Sequence, residues 1–142
     1  MIAGVGIDVV DLPRFAALLH EPGSVWQART FTAMERAAAE ARPSGDPTQH
    51  LAARFAAKEA FVKALSQSLA PGPLPEALLD LREVEVICDD AGRPALALHG
   101  RARALGPHSV RYHYPVGLLS HPWRPGAVAT ALVVTERDAL PR

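Results

Sequence analysis

Lysine is almost missing from this chain. Of its 15 basic residues, 13 are arginine and two, Lys58 and Lys63, are lysine, five positions apart in one segment. Cysteine is reduced to Cys88, so no internal disulfide is available and nothing marks an oxidising compartment. Charge of either sign is not in excess: the formal net charge is zero, which excludes global steering toward nucleic acid or an anionic membrane. No apolar run approaches the ~20 residues that span a bilayer. The opening "MIAGVGIDVVDLPRF" has no basic region ahead of a long apolar stretch and meets Asp8 too early for a signal peptide. A cytoplasmic location with no membrane or nucleic-acid partner is expected. Repeats at solenoid periods and low-complexity tracts are also missing, apart from a general richness in alanine.

The 142 residues suit one domain, read here as 1–142. Ile2 to Val9 reads as a short buried strand that runs into a helix, with Asp11 as cap and Pro13 in the first turn. Thr32 with Glu35 forms a capping-box signature. The stretch from Arg42 to Gln49 and the cluster Pro71 to Pro75 read as loops. Leu51 to about Leu69 is the longest helical pattern, with Leu51, Phe55, Val62, Leu65 and Leu69 on one face. Val84 to Cys88 and Pro94 to Leu98 flank a turn-like "DDAGR" and predict a hairpin. His99 to Leu105 suits a short helix, and Gly126 to Glu136 a late strand. Helices first and hairpin-linked strands later predict an α+β fold, a small antiparallel sheet packed with a long helix.

Placed on the long helix at about 100° per residue, Lys58 falls roughly 20° from Leu51, inside the apolar stripe. Glu59 and Arg54 lie on opposite shoulders of that stripe. Charges there must be partnered, because an unpaired one is expensive to desolvate. One reading is an Arg54, Lys58, Glu59 ion cluster at a packing edge; the other is an anionic ligand or a metal. Lys63 lies well round the helix, as an ordinary solvated residue would. Asp8 ends a strand in the small-residue context "GVGID", where Gly4 and Gly6 leave room for close approach. A carboxylate from a strand end and another from a helix face, with cations close by, is what a Mg²⁺ and polyphosphate site requires.

In order and spacing, "GVGIDVVDLPRF", "FTAMER", "LAARFAAKEAFVKAL", "DDAGRPALAL" and "LLSH" resemble the holo-acyl-carrier-protein synthases, the small phosphopantetheinyl transferases. The resemblance covers nearly the whole chain, and "RFAAKEA" is its most specific part. It implies the phosphopantetheinyl transferase fold and Mg²⁺-dependent transfer of phosphopantetheine from coenzyme A to a serine of apo acyl carrier protein. A homotrimer with active sites between subunits is also implied, with a carrier from fatty acid biosynthesis, polyketide biosynthesis or both. Carried over by motif, Asp8 and Glu59 hold Mg²⁺, while Arg54, Lys58 and Lys63 meet the phosphates of coenzyme A. Lys63 faces a neighbouring subunit's ligand or assists the leaving group, Arg14 meets the acidic helix of the carrier, and His121 is the candidate general base, with a metal-bound water as its rival. The chain departs from the family in "HPWRPG", where Pro122 to Pro125 lengthen the turn.

A non-catalytic coenzyme A or carrier-binding module would keep the cations and dispense with Asp8 and Glu59. A phosphohydrolase would want further acidic ligands or a phosphate loop, and no G-x-x-x-x-G-K-[ST] occurs.

Overall fold

A computed structural model describes residues 1–43, 46–69, 80–105 and 128–136, together with the backbone of 109–113. Strand β1 (Ile2–Asp11) passes directly into helix α1 (Leu12–Leu19). Helices α2 (Trp26–Thr30), α3 (Ala33–Glu40) and α4 (Pro47–Ser68) follow. A single 3-10 turn at Leu81–Glu83 leads into β2 (Val84–Cys88), β3 (Pro94–Leu98), α5 (Gly100–Leu105), β4 (Ser109–His113) and β5 (Val128–Glu136). Among the described residues these form two antiparallel sheets, one of order β1-β5-β4 and the hairpin β2-β3. This is the α+β arrangement expected from the sequence.

The helix starts are chemically explicit. Asp11 accepts a hydrogen bond from the Arg14 N–H at 2.9 Å, and Pro13 occupies the first turn, where its missing N–H costs nothing. The Thr32 and Glu35 side chains cap each other's backbone N–H groups at the head of α3. Asp46 caps α4 through the Thr48 N–H, so the helix begins at Pro47, four residues earlier than apolar periodicity suggests. Three residues read as loop, Pro47 to Gln49, are its first turn.

Helix α4 is the axis of the fold, and its burial differs from a single stripe. Ala52, Ala56, Ala57, Ala60, Phe61, Ala64 and Leu65 are buried, whereas Phe55, Val62 and Leu69 are only half-buried. The cause is that α4 lies on β1 and β5 along one side and against α1, α3 and β2 along the other. A helix covered on both sides by close neighbours favours alanine. Gly4 and Gly6 complete the fit: a Cβ on Gly6 would overlap the Ala60 carbonyl oxygen, and one on Gly4 the Ala64 carbonyl oxygen. The room these glycines leave is filled by helix backbone, not by a ligand.

Phe15, Trp26, Phe31 and Phe55 pack edge-on or tilted at 5.3–6.5 Å and tie α1 and α2 to α4. Among the described residues the opposite face of β1 has no such cover: Ile7 and Val9 are each 60% exposed, and Ile2 and Val5 lie beside them.

Candidate active site

Alternation along β1 turns Gly4, Gly6, Asp8 and Val10 toward α4. Asp8 meets Lys63 there: Lys63 Nζ donates to Asp8 Oδ1 at 2.7 Å and to the Ile7 carbonyl at 3.1 Å. Glu59 is one turn before Lys63 on the same flank of α4, a spacing that sets Cβ atoms about 5–6 Å apart. Asp8, Glu59 and Lys63 therefore gather at one edge of the sheet. Lys63, expected to be a solvated residue on helix geometry, joins strand to helix, as does Gln67, whose Oε1 accepts from the Val5 N–H. Its half-exposed ammonium spends two of its three N–H groups on Asp8 and Ile7.

Lys58 is placed differently from the phosphate contact expected of it. Its ammonium is 2.8 Å from Glu35 Oε2, and it donates to the carbonyls of Leu81 (2.8 Å) and Val84 (2.7 Å). All three donors are used inside the protein, both side chains of the ion pair are 0% exposed, and the Phe31 ring lies 5.7 Å away. Burial pushes the Lys58 pKa below its ordinary value, and the neighbouring Glu35 carboxylate opposes that shift. Lys58 is thus a clamp that holds the segment entering β2 against α4. The sequence offers it either an ion cluster with Arg54 and Glu59 or an anionic ligand; its actual partner is Glu35, which also accepts from the Val86 N–H at 2.9 Å.

On the other side of α4 lies a cavity of about 470 Å³. Arg42, His50, Arg54 and Arg93 line it beside Cys88, Gly92, Pro94 and the start of β5. Arg54 is 5% exposed; its Nη1 donates to the His50 carbonyl at 3.0 Å, and its buried Nε has no partner. At about 100° per residue, Arg54 and Lys63 face roughly opposite directions from α4. The carboxylate edge and the basic cavity are two distinct surfaces of this chain. Sequence reasoning identified Arg54 but not Arg42, His50, Arg93 or Glu35. Arg42 sits in a stretch read only as loop, and Glu35 was already accounted for by its capping box.

Arg14 is exposed in the first turn of α1, as a surface contact requires. His121 and the Pro122–Pro125 turn lie outside the described residues. Among the described residues no three His, Cys, Asp or Glu side chains cluster as a complete metal cage. Two carboxylates at an open edge are nevertheless a fitting donor set for Mg²⁺, which keeps waters and takes its other oxygens from substrate phosphates.

A long alanine-rich helix is laid on an antiparallel sheet, with Asp8 and Glu59 toward one flank and arginines toward the other. A sequence model of the 4'-phosphopantetheinyl transferase superfamily matches residues 4–131, and the chain belongs to that family. It is 44% identical over 139 residues to a holo-[acyl-carrier-protein] synthase of Geobacter sulfurreducens, covering 96% of this chain and 99% of that protein. A Mycobacterium tuberculosis holo-[acyl-carrier-protein] synthase is 48% identical over 101 residues, covering 70% of this chain and 75% of its own. Among solved structures, the chain is similar to an ACPS–CoA complex from Chronobacterium ammoniagenes, with a TM-score of 0.77 and 36% identity over 95% of this chain and 97% of that one. It is also similar to a Bacillus anthracis holo-(acyl-carrier-protein) synthase in complex with CoA (3',5'-ADP), with a TM-score of 0.66 and 28% identity over 96% and 98% of the two chains.

Proposed function

We propose that this chain is a holo-acyl-carrier-protein synthase that moves the 4'-phosphopantetheine arm of coenzyme A to a serine of apo acyl carrier protein. The observation that carries the reading is the Lys63–Asp8 pair in a chain of this family, with Glu59 one turn before Lys63 on α4. The reaction forms a bond from the serine oxygen to the β-phosphorus of coenzyme A and breaks that phosphorus's bond to the bridging oxygen. The departing half is adenosine 3',5'-bisphosphate. The serine proton goes to a base, for which His121 remains our candidate.

Asp8 and Glu59 would hold Mg²⁺, which when bound neutralises the pyrophosphate charge. Lys63 orients Asp8 through its hydrogen bond, and its third N–H is left for a phosphate oxygen on the leaving group. The Arg42, Arg54 and His50 cavity takes the 3'-phosphorylated nucleotide end. Arg14 offers a cation to the acidic carrier, the local patch a neutral chain needs to steer such a partner. Lys58 is omitted from this set because its donors are saturated.

The same reading makes the working form a homotrimer. Two observations support it. The outer face of β1 exposes Ile2, Val5, Ile7 and Val9 in a row, an apolar surface that association covers. The carboxylate edge and the basic cavity lie on opposite flanks of α4, so one coenzyme A spans both when a second copy supplies the missing half. The natural carrier is that of fatty acid biosynthesis, in the cytoplasm. The test is transfer itself: apo acyl carrier protein, coenzyme A and Mg²⁺ are mixed with this protein, and the carrier gains one phosphopantetheine by mass.

A further inference from the structure

The chain's single cysteine sits where that nucleotide end would lie. Cys88 ends β2, is exposed, and lines the basic cavity. Arg42 Nη2 is 3.7 Å from Cys88 Sγ. Arg54, 5% exposed, also lines the cavity and leaves Nε without a partner, and Arg93, whose Nε donates to Asp89 Oδ2 at 2.7 Å, adds a third guanidinium. A buried guanidinium with an unused donor at a cavity wall is a group waiting for an anion. None of the steps proposed above uses the thiol.

We propose that Cys88 is a modification site for small disulfides that carry negative charge. The arginines of the cavity gather the disulfide, and the Cys88 thiol gives its proton to solvent. The resulting thiolate attacks the nearer sulfur. A Cys88 S–S bond forms, the bond within the reagent breaks, and the other half leaves as a thiolate with the electron pair. The half that stays fills the cavity and excludes the nucleotide end of coenzyme A. A free thiol reverses the step. The exchange stands on the cavity alone; its effect on turnover rests on the transferase reading.

The probe is the dianionic 5,5'-dithiobis(2-nitrobenzoate), compared with neutral 2,2'-dithiodipyridine, each rate divided by that reagent's rate on 2-mercaptoethanol. The expected result at low ionic strength is a preference for the dianion of at least about tenfold, collapsing as salt is raised. Arg42→Ala, an exposed change, lowers the preference, and inorganic pyrophosphate slows the reaction. Equal normalised rates for the two reagents, insensitive to salt and pyrophosphate, overturn the site. In the second arm, labelled protein loses phosphopantetheine transfer and regains it with dithiothreitol. Labelled protein that transfers at the unlabelled rate overturns the blocking role. If unlabelled protein transfers nothing, the transferase reading fails, while the exchange rates still decide the site.

Discussion

Lys63 Nζ stands 2.7 Å from Asp8 Oδ1, a bond that fastens the middle of α4 to β1 beside Glu59. Because both partners belong to the proposed phosphate site, the pair is the place to separate charge from shape. Asp8→Asn keeps the shape of the side chain and removes its charge. It is expected to lower the transfer rate by at least about 100-fold, the scale of losing a positioned charge in phosphoryl transfer. Lys63→Ala should lower it as well, with the melting temperature little changed, because the ammonium is half-exposed. Carrier mass gain against time measures both.

Lys58 makes the opposite prediction. Removing either partner of its buried pair leaves an uncompensated charge, so Lys58→Met and Glu35→Gln should each cost about 3–5 kcal/mol in denaturant unfolding. Coenzyme A affinity of the remaining folded protein should hold. A Lys58→Met protein with normal stability and no coenzyme A binding would return the residue to the phosphate site.

Gly6→Ala places a methyl group on the Ala60 carbonyl. Neither backbone has freedom to yield, so the change should cost at least about 1–3 kcal/mol. It should also disturb transfer, because Asp8 is two residues along the same strand face. Thermal melts and the transfer assay run in parallel test the coupling.

The outer face of β1 is where the trimer would be broken. Ile7→Lys or Val9→Lys puts charge on an apolar surface, and sedimentation should shift from trimer to monomer with loss of transfer. A variant that stays trimeric places the interface elsewhere.

Acid stability should carry the signature of Glu85. Burial raises its pKa, but the Thr32 hydroxyl at 2.7 Å and His99 at 3.0 Å outweigh burial and leave it below its ordinary 4.5. Its stabilising contribution is fully present above 4.5 and is lost as pH falls through the lower folded value. Glu85→Gln should therefore flatten the fall in unfolding free energy below about pH 4.5. An unchanged slope would show that another carboxylate sets it.

Most of the framework was legible because it rests on local chemistry. Asp11 with Pro13 and Thr32 with Glu35 are caps whose partners lie within three residues, and the β2-β3 hairpin is announced by two alternating runs around Gly92. Helix α2, with no side-chain cap at Val25, and β4 gave no such signal. The environment of α4 was misjudged for a tertiary reason. Leucine and phenylalanine drew attention to one stripe, whereas two-sided packing buries the alanines. Lys58 was singled out correctly as a cation in a buried position, but its partner came from α3, 23 residues earlier, and no helical wheel of α4 contains it. Lys63 was underrated on the same wheel, because its significance comes from a strand more than fifty residues away.

The central claim is phosphopantetheine transfer at the Asp8 and Glu59 edge. Intact-mass measurement of apo acyl carrier protein, incubated with this protein, coenzyme A and Mg²⁺, tests it most directly. The account predicts a gain of one phosphopantetheine per carrier, lost when Mg²⁺ is chelated and lost in Asp8→Asn. A carrier of unchanged mass, beside a protein that still binds coenzyme A, would contradict it and leave a binding module in its place.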